Sequence, residues 1–170
     1  MALKEVVVYP NPALRETSEE VEKVGEDIRS LIDDMAETMY ASHGIGLAAI
    51  QIGVSKRVIV VDVGEGLVAL VNPAICKREG EAQMQEGCLC LPGVMVDVAR
   101  SERITVKGLD AKGAEVTFDA EGLFARALQH EIDHLDGILI VDKVSRIKRE
   151  LLTGALRKQA KERTAAAKKN

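Results

Sequence analysis

Two histidines and a glutamate in the last third of the chain have the spacing of a metal-binding helix. The segment reads His130-Glu131-Ile132-Asp133-His134. Residues i and i+4 of an α-helix lie on one face, so both imidazoles can reach one metal ion, with Glu131 beside it. A metal lowers the pKa of water, and the carboxylate can take its proton and deliver it to a leaving group. The spacing therefore predicts metal-assisted hydrolysis, the alternative being a surface helix with histidines on its polar face.

A hydrolytic site of this type needs a third protein ligand, and the chain has only three His and three Cys. Some proteases place a third histidine six residues after the second, with a glycine between. Gly137 fits that pattern, but position 140 is Ile140. The remaining histidine, His43, lies far upstream beside a glycine loop. The third ligand is therefore predicted to be a thiolate, from Cys88, or a carboxylate, for which Glu150 is the downstream candidate.

Cys88 is favoured over Glu150, which lies in a basic terminal segment. A glycine precedes Cys88 and a proline follows shortly, at Pro92, which predicts an irregular, exposed segment where a thiolate can approach a helix-borne site. The alternative for Cys88 is a small buried hydrophobic residue.

The segment 44–51, Gly-Ile-Gly-Leu-Ala-Ala-Ile-Gln, is a third candidate. Its small residues allow close backbone approach, and the amide of Gln51 could donate to a developing oxyanion. A glycine-rich turn between a helix and a strand explains the same pattern, and the lysine of a phosphate-binding loop is absent.

Helices are predicted on both sides of a β-rich middle. Apolar residues recur with helical spacing on one face of segment 27–40 and again from Leu123 to Ile132, where Gly137 predicts the end of the helix. A third helix begins after Ser145. Runs 57–63 and 67–72 and the pair 103–107 and 115–118 predict strands joined by tight turns. This order of elements predicts an α+β fold, mainly antiparallel.

Length and composition indicate one domain with an aliphatic core. The chain has 170 residues, 46% apolar, without tryptophan, which suffices for a core without disulfides. The odd count of three cysteines, the start without a signal-peptide run and the absence of about 18 consecutive apolar residues predict a protein of the reducing cytoplasm.

Charge is distributed unevenly along the chain. Residues 1–142 carry 13 Lys and Arg against 25 Asp and Glu, a net charge of −12, whereas residues 143–170 carry 10 against 2, a net charge of +8. We expect an acidic body, 1–142, and a basic C-terminal helix, 143–170, within the same single domain. Such a helix can bind polyanions such as RNA, or it can be a solvated terminal helix.

Together the three segments resemble peptide deformylase. The family signatures are Gly-apolar-Gly-apolar-Ala-Ala-x-Gln, Glu-Gly-Cys-apolar-Ser and Gln-His-Glu-x-Asp-His-Leu-x-Gly, and they match 44–51, 86–90 and 129–137 in that order. Flanking segments agree as well: Pro12 to Arg15, Val71-Asn72-Pro73 and 109–113. One position departs from the signatures, because Cys90 stands where the family usually has serine. A second thiol there could make the site easier to oxidise, or Cys90 is simply packed inward.

The resemblance implies an α+β enzyme in which antiparallel sheets pack around the central metal-binding helix. It would be a metal-dependent hydrolase that removes the N-formyl group from the initiator formyl-methionine of nascent polypeptides and releases formate. The implied roles of individual residues are as follows: Cys88, His130 and His134 as metal ligands; Glu131 as general acid and base; Gln51 and the backbone N–H of Leu89 as oxyanion donors; Ile45, Gly46 and Gly87 as contacts of the peptide backbone; and Leu123, Ala127, His130 and Met84 as the methionine pocket.

The resemblance also implies one divalent metal ion, with Fe²⁺ expected and Zn²⁺, Ni²⁺ or Co²⁺ as replacements. It implies docking of the basic C-terminal helix on the ribosome near the nascent-chain exit, and no membrane partner. Two other hypotheses stay open at this point. One is a zinc endopeptidase with Glu150 as its third ligand, and the other is a non-enzymatic ribosome- or RNA-binding module with a structural metal.

Overall fold

Three α-helices and seven strands form an α+β fold, described here for residues 2–168 of a computed structural model. The helices are α1 (Glu26–Ala41), α2 (Gly122–Leu135) and α3 (Arg146–Lys168). The strands are β1 (Gly46–Ala48), β2 (Val58–Val61), β3 (Val68–Glu79), β4 (Ala82–Gly87), β5 (Met95–Arg100), β6 (Arg103–Leu109) and β7 (Glu115–Glu121). The predicted fold class is confirmed.

The strands make two antiparallel sheets. Five strands pair in the order β1-β2-β3-β6-β7, and β4 pairs with β5 in a separate hairpin. The sequence predicts β2, β3, β6 and β7. It does not predict β1, which lies in the expected glycine-rich turn, or β4 and β5, which flank the segment 86–92 that is expected to be irregular. The reason is that β4, Ala-Gln-Met-Gln-Glu-Gly, is polar and buries a glutamate, Glu86, so its pattern gives no apolar alternation.

Helices cover both faces of the larger sheet at β2. Val58 and Val60 pack with residues of α1, whereas Ile59 and Val61 pack with α2. All four residues are buried, which explains why this strand is continuously apolar rather than alternating. Helix α2 therefore packs on the face of this sheet opposite to α1.

The end of α2 and the start of α3 follow the sequence signals. Gly137 lies just beyond α2 with φ of 72°, and a Cβ there would lie 2.5 Å from the carbonyl oxygen of Arg15, so only glycine fits. The hydroxyl of Ser145 accepts a hydrogen bond from the N–H of Lys148 at 3.2 Å and caps α3. Leu156 of α3 is buried in a cluster with Tyr9 and residues of β5.

None of the helices within residues 2–168 combines the length and apolar character needed to cross a membrane. The division into an acidic body, 1–142, and a basic helix, 143–170, stays a prediction. Residues 169 and 170 of the predicted basic helix lie outside the part of the chain that the structure describes.

Candidate active site

Cys88, His130 and His134 converge beside one cleft, which Cys88 and His130 line. The Cys88 Sγ lies 3.3 Å from the His134 Nε2, and the Nε2 atoms of the two histidines are 3.2 Å apart. In the described range 2–168, these three side chains form the one group of ligating residues that could hold a metal ion, with their ligand atoms within 4.8 Å of one another. Helix α2 supplies both histidines, one turn apart, and the loop after β4 supplies the thiol.

Glu131 lies beside this cluster with its carboxylate buried. Its Oε1 is 3.9 Å from the His130 Nε2, and its Oε2 finds no hydrogen-bond partner among the described residues. Burial raises the pKa of Glu131 to about 7. Buried polar atoms are rarely left without a partner unless a ligand, water or ion completes them. One thiolate and two imidazoles are a donor set that suits Zn²⁺ or Fe²⁺, so the residues present fit a transition metal.

Gln51 points its amide group toward the same cluster. Its Oε1 accepts a hydrogen bond from the backbone N–H of Ala48 at 2.8 Å, so its Nε2 is the atom that faces Cys88, 3.5 Å from the Sγ. The short strand β1 and the 3₁₀ turn at Ala49–Ile52 hold this side chain almost fully buried. The amide orientation is thus fixed before any substrate arrives.

A cleft of about 450 Å³ opens above the cluster. Every other residue that the sequence singled out for substrate binding or oxyanion stabilisation lines it: Ile45, Gly46, Met84, Gly87, Leu89, Leu123 and Ala127. Ile45, Met84 and Leu123 are between 44% and 48% exposed although they are apolar. An apolar rim of this kind around a polar floor is typical of a ligand site.

A buried ion network supports His130, and sequence reasoning missed it. Glu86 lies within hydrogen-bond distance of the His130 Nδ1 at 2.9 Å. It also accepts two hydrogen bonds from Arg100, at 2.7 and 3.0 Å, and another from Arg126. Arg100 in turn donates to Asp133 at 2.8 Å. The available signal was Arg100, which shares one face of β5 with the apolar residues Val96 and Val98.

This network fixes the ring orientation of His130. Burial opposes ionisation of Glu86, but the hydrogen bonds with His130 and Arg100 outweigh it and lower the pKa of Glu86 to about 2. A carboxylate on Nδ1 keeps the proton on that nitrogen, so Nε2 is the nitrogen that could donate its lone pair to a metal after losing its own proton. Burial disfavours the imidazolium, whereas the interactions with Cys88 and Glu86 raise the pKa of His130.

Cys90 touches the predicted ligand Cys88. The two Sγ atoms are 3.1 Å apart, and Cys90 is fully buried, as one of the two alternatives for this residue predicted. The hydrogen bond with Cys90, together with burial, raises the pKa of the Cys88 thiol to about 11.

Gly46 has a second function that its place in a glycine loop did not reveal. A Cβ at this position would lie 2.8 Å from the Oε1 of Glu131 and 2.9 Å from its Cγ. A glycine is therefore required for the carboxylate of Glu131 to occupy its observed position.

The alternative ligand and the third histidine lie outside the cluster. Glu150 is on α3 with its side chain 65% exposed and paired to Arg146. His43 lines the cleft but does not belong to the group of ligating side chains. An endopeptidase site with Glu150 as third ligand is therefore not formed.

A helix that carries His-Glu-x-x-His, with both histidines facing a cysteine thiol in an α+β fold, defines a metal-dependent hydrolase. Residues 3–150 match the polypeptide deformylase family, and the chain belongs to that family. It is 52% identical over 156 residues to the peptide deformylase of Thermodesulfovibrio yellowstonii, covering 89% of this chain and 94% of the relative. It is 53% identical over 150 residues to that of Carboxydothermus hydrogenoformans, covering 88% and 99%.

Solved structures give the same result. The crystal structure of peptide deformylase from Ehrlichia chaffeensis in complex with actinonin has a TM-score of 0.91 and 41% identity, covering 94% of this chain and 98% of that one. The structure from Legionella pneumophila has a TM-score of 0.89 and 41% identity, covering 96% and 98%. The chain is thus an enzyme, and the hypothesis of a non-enzymatic binding module is wrong.

Proposed function

We propose that Cys88, His130 and His134 hold one divalent metal ion in an enzyme that removes the N-formyl group from the initiator methionine of nascent polypeptides and releases formate. Membership of the deformylase family supports the reaction. The observation that carries the assignment of residues is the convergence of the three ligand atoms within 4.8 Å of one another, beside a buried carboxylate.

Glu131 transfers the proton in this proposal. When bound, a divalent metal at this site would polarise the formyl carbonyl and lower the pKa of water. Glu131 accepts the proton from the attacking water and passes it to the nitrogen of the departing peptide. Burial raises the pKa of Glu131 to about 7, and a carboxyl group with a pKa near neutral can serve as acceptor and then as donor.

Gln51 and the backbone N–H of Leu89 stabilise the oxyanion. Both residues line the cleft, and the Ala48 N–H holds the Gln51 amide with its NH₂ group toward Cys88. Donors fixed in advance stabilise charge that develops during the reaction without reorganising.

The peptide binds between two strand edges. β1 is the edge of the five-stranded sheet and β4 belongs to the two-stranded sheet, and both contribute cleft residues. An extended peptide can therefore pair along Ile45 and Gly46 on one side and Gly87 on the other. Leu123, Ala127 and Met84, with the ring of His130, receive the methionine side chain.

We propose Fe²⁺ as the metal, with Zn²⁺, Ni²⁺ or Co²⁺ able to replace it, since all these ions bind imidazole and thiolate ligands. Substrates that are nascent chains also favour the cytoplasm as the location of the enzyme.

Formate release from a formyl-Met peptide tests these roles, together with metal content. Glu131→Ala should keep the metal and lose turnover, because the ligand atoms are unchanged. Cys88→Ala should lose the metal. An acetyl-Met peptide is the matched substrate control, and Leu123→Asn should raise KM for formyl-Met by weakening the methionine pocket. Full turnover by Glu131→Ala would overturn the assigned role, and unchanged metal content in Cys88→Ala would remove it as a ligand.

The basic α3 helix is proposed to dock on ribosomal RNA near the nascent-chain exit. Its supporting observation is the net charge of +8 in residues 143–170 against −12 in the rest. Arg157, Lys158 and Lys161 are exposed on α3, whereas Leu156 is buried against the body. Replacing the three cations with glutamine therefore tests docking without uncovering the apolar cluster, as a truncation would.

Ribosome co-sedimentation across a salt series is the measurement. The triple α3 variant should bind more weakly and with a smaller salt dependence. With fewer phosphate contacts, binding releases fewer counterions from the RNA. Glutamine at Lys23, Lys107 and Lys112, exposed cations of the body, is the matched control and should bind normally. Equal ribosome binding by the two triple variants would contradict docking through α3. Both variants should deformylate a free formyl-Met peptide at the normal rate.

A further inference from the structure

Cys88 and Cys90 are arranged with their sulfur atoms in contact. Their Sγ atoms lie 3.1 Å apart in a turn in which the N–H of Leu91 bonds to the carbonyl of Cys88. A disulfide requires an S–S distance of about 2.05 Å. The sulfurs therefore need to approach by only about 1 Å to form a covalent bond.

The two thiols differ in access. Cys88 lines the cleft and is partly exposed, so a small reagent from solvent reaches its sulfur. Cys90 is fully buried in a cluster with Tyr9, Leu91 and Val94. Its sulfur is thus protected from solvent while remaining in contact with that of Cys88. A buried thiol in contact with an accessible one is placed to resolve a sulfenic acid that forms at the accessible sulfur.

We propose that Cys88 and Cys90 are an oxidative modification site that hydroperoxides convert to an intramolecular disulfide. The sulfur of Cys88 attacks the peroxide, which breaks the O–O bond and gives a sulfenic acid at Cys88 and one molecule of alcohol or water. The sulfur of Cys90 then attacks the sulfenic sulfur, and the hydroxyl leaves as water with the thiol proton of Cys90. The pair loses two electrons in total, which the peroxide accepts. A dithiol reductant restores both thiols by exchange.

The modification competes with metal binding. A sulfur in a disulfide is no longer a thiolate, so the oxidised protein lacks one of the three ligands, and bound metal in turn shields the sulfur from peroxide. This consequence rests on the proposed role of Cys88 as a ligand, whereas formation of the disulfide does not. Serine at position 90 would leave a sulfenic acid without a resolving thiol, free to proceed to irreversible sulfinic and sulfonic acids.

The test uses the full chain carrying Cys76→Ser, which removes the one exposed cysteine among the described residues and leaves the pair. Zn²⁺ is the metal probe, since it has no redox chemistry. The protein is stripped with a chelator, treated with equimolar hydrogen peroxide and digested with trypsin. Residues 79–100 contain both cysteines and no internal Lys or Arg before Arg100, so one peptide reports on both.

The expected product is this peptide with two hydrogens lost, neither sulfur open to alkylation, and Zn²⁺ binding abolished. Dithiothreitol should restore both the thiols and full Zn²⁺ binding. A Zn²⁺-loaded sample should react at least about tenfold more slowly, because the ligand sulfur is occupied.

Cys90→Ser in the same background is the matched control and should gain oxygen at Cys88, without recovery of Zn²⁺ binding. An alkylatable Cys90 in the peroxide-treated Cys76→Ser protein, or identical oxygenated products with and without Cys90, would overturn the proposal. The alkylation result comes from the Cys76→Ser protein alone, so it does not depend on whether Cys90→Ser folds or on deformylase turnover. Disulfide formation without loss of Zn²⁺ binding would instead count against Cys88 as a ligand.

Discussion

Replacing Glu86 with glutamine removes the negative charge that holds two buried arginines and one histidine. Arg100 and Arg126 are 7% and 5% exposed, so neither can be rehydrated without local unfolding. Arg100 keeps its ion pair with Asp133 at 2.8 Å, whereas Arg126 keeps only backbone carbonyl groups, those of Val98 and Ala82. The variant therefore leaves one buried cation without a counter-charge rather than two.

The expected loss is about 3–5 kcal/mol of unfolding free energy, the usual result of removing one partner of a buried ion pair. With a guanidinium slope of about 4 kcal/mol per M, the unfolding midpoint should fall by about 1 M. The His130 Nδ1 also loses its charged partner, so Zn²⁺ affinity should fall about 10- to 100-fold.

Chemical unfolding of the metal-free protein measures the first effect, and competition with a chelator measures the second. Glu79→Gln is the matched control, since Glu79 pairs with Lys77 and Arg103 at the surface and its replacement should leave both quantities nearly unchanged. The reasoning is refuted if Glu86→Gln unfolds at the wild-type midpoint. A large loss of stability with unchanged Zn²⁺ affinity would reject only the orienting effect of Glu86 on His130.

Three further predictions follow from individual contacts. Gly46→Ala should lower kcat/KM by about 100-fold while keeping the metal, because the added Cβ displaces the Glu131 carboxylate. Gly154→Ala is the control, because a Cβ added there would meet no atom within 4 Å. Near-normal turnover by Gly46→Ala would contradict the steric argument. Asp142→Asn should lower stability at pH 7, because Arg15 lowers the pKa of Asp142 although burial opposes this. The stability that the ion pair contributes is present above the ordinary pKa of 3.8 and is lost as the pH falls through the lower pKa of the folded state. Urea unfolding at a series of pH values measures this, and a stability difference between wild type and variant that stays the same at low pH would contradict it. Zn²⁺ affinity should rise at least about tenfold per pH unit between pH 6 and 8, because Cys90 and burial raise the pKa of Cys88 to about 11 and Zn²⁺ binding displaces the thiol proton. Calorimetry in buffers of differing ionisation enthalpy measures the number of protons released. Binding without any proton release would contradict the prediction.

Local patterns predicted much of the fold. The helix at Glu26–Ala41 and the α2 helix ending before Gly137 follow apolar periodicity, which depends on neighbours three and four residues apart. The β4–β5 hairpin is not predicted because its buried positions include the charged residues Glu86 and Arg100. The burial of these charges is compensated only by ion pairs with the neighbouring strand and α2. A pattern of side chains does not record such compensation, since the compensating charges are distant in sequence.

For the active site, the sequence by itself determined the chemistry of the donors: His130 and His134 share a helix face because of their spacing, and the scarcity of other histidines directed attention to Cys88. Only the tertiary structure brought Cys88, and not Glu150, close to both histidines, brought the Cys90 sulfur against that of Cys88, and placed Gly46 against Glu131. It also assembled Glu86 with Arg100 and Arg126. The physical reason is that helical spacing is set by bonds within one turn, whereas contacts between a loop, a hairpin and a central helix depend on how the whole core packs.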